Sequence, residues 1–340
     1  MLEIGCAILV LAGLLIYLLL DGFDMGVGNL FLFTKTKQQK DEMMSSLAPV
    51  WDGNETWLVY AGGMTWAAFP LVYSIALPAF YIPLTGMLFA IMLRSISFEF
   101  RLKANDKQKK LWDAMFFLGS FLMSFIQGAA LGAIVNGVKI ENNAYAGGAF
   151  DWLCTTTIAT GLAVVIANTM LGAAWTIYKT EGETRSFAIS ALKKSAIGLA
   201  VAFVICAVYV PLAHPFTLDL LFKHAIILPA ILISAVLTFA LLFFIIKGAD
   251  KCMYSKDYYP LTATFLVITL AVFNLAVLFW PNVFYPTHTL YNMANVNKGS
   301  LQLVFILMVV MLPIILSYTI FVYYTFKGKV SLQNKNNFYA

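Results

Sequence analysis

The run Ile4-Gly5-Cys6-Ala7-Ile8-Leu9-Val10-Leu11-Ala12-Gly13-Leu14-Leu15-Ile16-Tyr17-Leu18-Leu19-Leu20-Asp21-Gly22-Phe23-Asp24-Met25-Gly26-Val27-Gly28 decides the fold class. Its first part carries no charge and approaches the roughly 20 apolar residues that a helix needs to cross a bilayer. Asp21 and Asp24 follow, three apart, so a helix places them on one face. Carboxylates inside a bilayer are costly and mark function by default. Gly22, Gly26 and Gly28 share the stretch. Small residues at four-residue spacing let another helix approach closely, so this face is expected against protein and not lipid.

Outward from this segment the apolar pattern repeats. The chain has 340 residues, 61% hydrophobic and 11% charged, with a mean hydropathy of +0.82. A soluble domain is about 25% charged, so this composition specifies an all-α, polytopic membrane protein. Nine spans are predicted, at 4–33, 51–73, 76–100, 111–136, 150–178, 188–211, 219–246, 259–284 and 300–326. Residues 1–340 read as a single membrane domain, because the longest polar stretches are only 34–49 and 285–299. Pro70 and Pro78 predict a tight outer turn between the second and third spans, with a kinked re-entrant arrangement as the alternative. Met1-Leu2-Glu3 lacks the basic start of a cleaved signal, so the first segment is expected to remain as a helix.

Nineteen of the 22 Lys and Arg residues fall in alternate loops and the C-terminal tail. Only Lys139, Lys223 and Lys298 lie in the others. The positive-inside rule then predicts an external N-terminus, an internal C-terminus and an odd number of spans. The net charge of +5 follows this topology and does not point to a nucleic-acid partner.

A second acidic cluster, Trp51-Asp52-Gly53-Asn54-Glu55-Thr56-Trp57, opens the second span. Desolvated carboxylates exchange protons, which is one reading of Asp21, Asp24, Asp52 and Glu55. The other is structural. Asp21 or Asp24 could cap a helix or pair with a basic residue, and Asp52 is a good N-cap. Trp51 and Trp57 fit an interfacial belt. Arg94 and Glu99 are expected to pair with each other or to snorkel. Gln127, Asn168 and Asn274 need hydrogen-bond partners on neighbouring helices.

Other chemistries lack their residues. Cys6, Cys154, Cys206 and Cys252 form no C-x-x-C pair. The only histidines, His214, His224 and His288, lie near predicted outer loops. No Glu-x-x-His pair of a di-iron bundle and no phosphate loop is present.

The runs at 21–28 and 51–58, with Ala61-Gly62-Gly63, Arg94 and Phe98-Glu99-Phe100-Arg101, resemble subunit II of the bacterial cytochrome bd-type quinol oxidases. Lys179-Thr180-Glu181-Gly182 and Pro313-Ile314-Ile315-Leu316 with Tyr318 resemble it more loosely. The resemblance covers essentially the whole chain. It implies two four-helix bundles plus one extra helix, in a complex of the bacterial inner membrane that oxidises quinol and reduces dioxygen to water. It implies a heterodimer with a subunit I that carries haems b and d and the quinol site, and leaves room for a small additional membrane subunit. This chain is expected to ligate no haem and to help supply protons from the cytoplasm. Some family members hold a quinone in subunit II. Asp21, Asp24 and Asp52 match the family's acidic positions. Glu55 stands where some relatives have glutamine, and Glu99 where others have aspartate. Trp51, Asn54, Trp57, Arg94 and Glu99 read as motif residues that support the fold. The rival readings are a proton-coupled secondary transporter and a purely scaffolding membrane subunit.

Overall fold

The computed structural model describes residues 1–223, 227–250 and 256–330. His224, Lys251, Cys252 and Lys335 lie outside them. The chain order is α1 (Leu2–Leu30), α2 (Lys37–Leu47), α3 (Trp51–Ala68), α4 (Pro70–Ala79), α5 (Tyr81–Lys103) and α6 (Asp106–Asn136). A hairpin of β1 (Ile140–Glu141) and β2 (Ala144–Tyr145) leads to α7 (Thr155–Lys179), α8 (Gly182–Ala213), α9 (Phe216–Lys223), α10 (Ile227–Asp250) and α11 (Tyr258–Phe279). The hairpin of β3 (Asn282–Phe284) and β4 (His288–Thr289), then α12 (Leu290–Met293), precede α13 (Lys298–Thr325). Among the described residues eight helices are long and apolar enough to cross a membrane, and counting the bent pair α3–α4 as one broken span gives up to nine.

Two expectations need correction, and one polar stretch gains an element. The second span does not run to residue 73. It breaks at Phe69 and turns by 117° into α4, and the third begins at Tyr81 rather than 76. The cause is Pro70, which disfavours helical backbone at the residue before it and sits well at the first position of a new helix. The break frees the carbonyls of Ala67 and Ala68, and Asn295 satisfies both, through Nδ2 at 3.3 Å and its backbone N–H at 2.8 Å. Next, the polar stretch 34–49 is largely the helix α2, started by a reciprocal capping box between Thr36 and Gln39. Last, Asp52 caps nothing: α3 starts at Trp51, and its N-cap is Val50, with no side-chain bond.

The helices pack as two groups. The first contains α1, α3, α5 and α6, and the second closes a ring of α7, α8, α10 and α11. α13 lies outside both groups against α1 and α3, while α1 and α6 pack on α7 to join the groups. The join is a backbone contact. A Cβ at Gly26 would overlap the backbone of Asn168 and Gly172, and one at Gly172 would overlap Gly26 and Val27. The span amides find partners across helices: Gln127 donates to Tyr17 at 2.6 Å, Asn168 to Ser124 at 3.1 Å, and Ser234 to Asn274.

At the lysine-rich end two devices fix the helix termini. α2 buries Met43, Met44 and Leu47 and is pinned by buried Arg101, which donates to Asp41 at 2.7 Å and to Asp113 at 2.5 Å. The segment after α13 folds back over the end of α7. Lys179 Nζ donates to the carbonyls of Phe326 at 2.5 Å and Gly328 at 2.7 Å, and Val330 N–H returns a bond to the Lys179 carbonyl at 2.8 Å. A cation at a helix C-terminus is favoured by the helix dipole. Lys329 and Arg185 both bind Asp257, just before α11.

Candidate functional site

The carboxylates converge because three helix ends meet at the lysine-rich side. α1 brings Asp21 and Asp24 in its last turns, α3 brings Asn54 and Glu55 in its first, and α5 brings Arg94. Asp21, Asp24, Asn54 and Arg94 are all at most 2% exposed. Arg94 Nη1 donates to Asp21 Oδ1 at 2.7 Å, and Nη2 donates to Glu55 Oε1. A planar guanidinium suits two carboxylates approaching from different helices. The expected Arg94–Glu99 pair does not form. Residues five apart on a helix point about 140° away from each other, and Glu99 faces outward.

Asp24 has no cation of its own among the described residues. Its Oδ2 accepts from Asn54 Nδ2 at 2.8 Å, and Asn54 Oδ1 accepts from the Tyr323 hydroxyl at 2.8 Å. One buried amide thus joins α1, α3 and α13. Asp21 Oδ2, Asp24 Oδ1, Arg94 Nε and Gln127 Oε1 are buried without a hydrogen-bond partner. Tyr17, one turn before Asp21, accepts from Gln127 and extends the polar track toward α6.

Glu55 retains 25% side-chain exposure, so the cluster reaches the surface of the chain there. Asp52, one turn earlier on α3, is exposed and makes no side-chain hydrogen bond among the described residues. The structure therefore brings Asp21, Asp24 and Glu55 together around Arg94 and leaves Asp52 at the rim. Trp57 is fully buried against Tyr60 at 6.0 Å between ring centroids and is not a belt residue. Trp51 packs on Phe98 at 5.1 Å.

Sequence reading did not place Tyr17 or Tyr323 in the site. Tyr17 was findable, because it sits four residues before Asp21 on one helix face. Tyr323 carries no such signal, since a tyrosine near a span end reads as an interfacial anchor.

Among the described residues no group of three His, Cys, Asp or Glu side chains is placed to hold a metal. His214 ends α8 and bonds Thr156 at 2.9 Å. His288 lies in β4 beside Thr287 and Asn143. Neither imidazole contacts the carboxylate cluster.

The family model described as cytochrome bd terminal oxidase subunit II matches residues 2–326. The probable cytochrome oxidase subunit 2 of Haemophilus influenzae is 29% identical, covering 98% of this chain and 97% of its own length. The cytochrome bd-I ubiquinol oxidase subunit 2 of Escherichia coli is 27% identical over 92% of this chain and 91% of its own. The cytochrome bd ubiquinol oxidase subunit 2 of Bacillus subtilis is 28% identical over 93% of each. The bd oxidase structure from Geobacillus thermodenitrificans contains a chain of the same fold, with a TM-score of 0.75 at 14% identity, covering 98% of this chain and 99% of that one.

Proposed function

Because this chain belongs to the cytochrome bd terminal oxidase subunit II family, we propose that its carboxylate cluster passes protons from the cytoplasm toward the oxygen-reducing centre of its partner subunit. The chain is a multi-pass inner-membrane subunit of an oxidoreductase complex. Family membership sets the transporter reading aside. In the proposed complex, quinol is oxidised and dioxygen is reduced to water on a partner subunit that holds the b and d haems. The partner's haem supplies the redox chemistry, and this chain's part is to hold and move protons.

One observation carries the reading: two carboxylates share a single guanidinium, and a third, Asp24, is buried beside them with only the Asn54 amide as partner. Fully ionised, Asp21, Asp24 and Glu55 with Arg94 would leave two uncompensated negative charges. The effective penalty for burying ions is several kcal/mol each, and proton binding relieves it. The lysine-rich end is taken as cytoplasmic. Exposed Asp52 accepts a proton at the rim, Glu55 one turn further in takes it next, and Asp21 and Asp24 receive it beyond Arg94. The unpartnered oxygens of Asp21 and Asp24 supply the acceptor positions such a relay needs.

Oxygen uptake normalised to haem d tests this in Asp21→Asn, Asp24→Asn and Asp52→Asn complexes. Asparagine keeps the shape of aspartate but cannot ionise. Slower turnover with intact haem content supports the relay. Wild-type turnover in all three variants makes the acids structural and this chain a scaffold.

A further inference from the structure

The threonines inside the spanning helices share a habit. Thr65, Thr85, Thr169, Thr238 and Thr269 each donate to the carbonyl four residues earlier. Thr319 of α13 does not. Its hydroxyl is buried with no partner, its residue is 9% exposed, and it lines a cavity of about 420 Å³ between α1, α7, α11 and α13. The remaining walls are aliphatic and aromatic, Trp175, Phe265 and Tyr323 among them. At the rim Ile320 is 65% and Tyr258 44% exposed, so the cavity opens sideways as a cleft. The volume falls in the range of small-molecule sites.

The basic residues near this cleft divide into two sets. Lys179 is taken by carbonyls, and Lys329 and Arg185 by Asp257. Lys256 and Lys327 have no ion pair among the described residues. Lys256 Nζ lies 5.9 Å from the centroid of Tyr258, a rim residue. Lys327 Nζ lies 4.2 Å from that of Tyr324, which shares a helix face with Ile320.

We propose that this cleft binds one anionic glycerophospholipid, with an acyl chain in the cavity, an ester carbonyl on Thr319 Oγ1 and the phosphate held by Lys256 and Lys327. The depths agree. α13 has 28 residues, or about 42 Å at the α-helical rise, against about 30 Å of hydrocarbon. Centred, it extends about 6 Å beyond the hydrocarbon at each end. Thr319 lies about 9 Å before the last residue, Thr325, which puts it about 3 Å inside that boundary. This is the level of lipid esters, and Lys327 stands beyond it with the headgroups. A hydroxyl without an acceptor, a carbonyl-bearing chain and two cations with no ion pair among the described residues complete each other. An uncharged quinone headgroup would fill the cavity but leave both lysines unused. The cleft shares one wall residue, Tyr323, with the carboxylate cluster, and none of the cluster's acids lines it.

The assembled complex, delipidated in detergent, is titrated with dioleoyl-phosphatidylglycerol and separately with dioleoyl-phosphatidylcholine, and bound lipid is counted by native mass spectrometry. One phosphatidylglycerol is expected to bind at least about tenfold more tightly than phosphatidylcholine. Lys256→Gln and Lys327→Gln should each weaken it about fivefold, the equivalent of one basic contact at a membrane surface. Both substitutions lie on the exposed surface and spare the packing. Thr319→Val should weaken both lipids. Phosphatidylglycerol with brominated acyl chains should quench Trp175, read as the difference between wild type and Trp175→Phe. Equal affinities that ignore the lysine variants overturn the proposal. So does the absence of Trp175 quenching, or a bound quinone that phospholipid does not displace.

Discussion

Asn54 and Tyr323 meet at 2.8 Å between the hydroxyl and the amide oxygen, and through that bond the last spanning helix reaches a carboxylate on the first. Asn54 uses its other end on Asp24. No water-facing route replaces either bond, because Asn54 is fully buried. Leaving a buried polar group unsatisfied costs about 1–3 kcal/mol. Asn54→Leu strands both the Tyr323 hydroxyl and Asp24 Oδ2, whereas Tyr323→Phe strands only Asn54 Oδ1. Thermal unfolding of the purified complex should therefore show the larger loss of Tm for Asn54→Leu. Equal small shifts would mean that the bridge does not hold α13.

Arg94 is the only cation bound to Asp21 or Glu55 among the described residues. Removing one partner of a buried pair typically costs about 3–5 kcal/mol. Arg94→Ala should prevent recovery of a monodisperse complex on detergent gel filtration. Arg94→Lys should also fail substantially, since an ammonium lacks the fork that serves two carboxylates. The double variant Arg94→Met with Asp21→Leu removes charge on both sides and should recover more complex than Arg94→Ala. No recovery in that double variant would show that the arginine does more than neutralise Asp21.

Glycine positions differ by what surrounds them. A Cβ at Gly26 meets the backbone of α7, which has no side chain to swing away, whereas a Cβ at Gly63 meets nothing within 4 Å. Gly26→Ala should separate α1 from α7 and lower the yield of folded complex. Gly63→Ala should be neutral or slightly stabilising, because alanine favours helix over glycine by up to about 1 kcal/mol. A normal yield for Gly26→Ala would refute the backbone contact.

Asp257 lies outside the spans, so its titration is readable. Burial pushes its carboxyl up, but hydrogen bonds and charge from Lys329 and Arg185 outweigh this and hold it below the usual carboxylate range. A depressed carboxyl stabilises the folded state above its ordinary pKa and loses that contribution as pH falls through the folded value. Amide exchange in residues 326–330 should thus stay protected near neutral pH and loosen in acid. Asp257→Asn should show the loosened state at neutral pH. Protection that does not change with either would place the anchor on Lys179 alone.

The spans were legible because apolar length is a direct signal of bilayer crossing. The cluster was half legible. Asp21 and Asp24 share a helix face by spacing, and their glycine-lined surroundings announced burial. What joins them was not. Arg94 lies 73 residues from Asp21, and no local rule links the two, so a nearby acid such as Glu99 looked the better partner. The break at Phe69 was misplaced for a similar reason. Pro70 marks a helix start as well as a turn, and only the packing of Asn295 shows which. The helix α2 escaped because its polar composition hides a narrow apolar stripe, although its capping-box sequence was readable.

The bond between Tyr323 and Asn54 also sets an order in time. The two residues are 269 positions apart, so ribosomal synthesis separates their emergence by roughly 15–50 s. During that interval the first span already carries Asp24, while the helix that completes its support has not yet been made. An unfinished chain thus differs from a finished one by a buried amide oxygen, Asn54 Oδ1, that still lacks its donor.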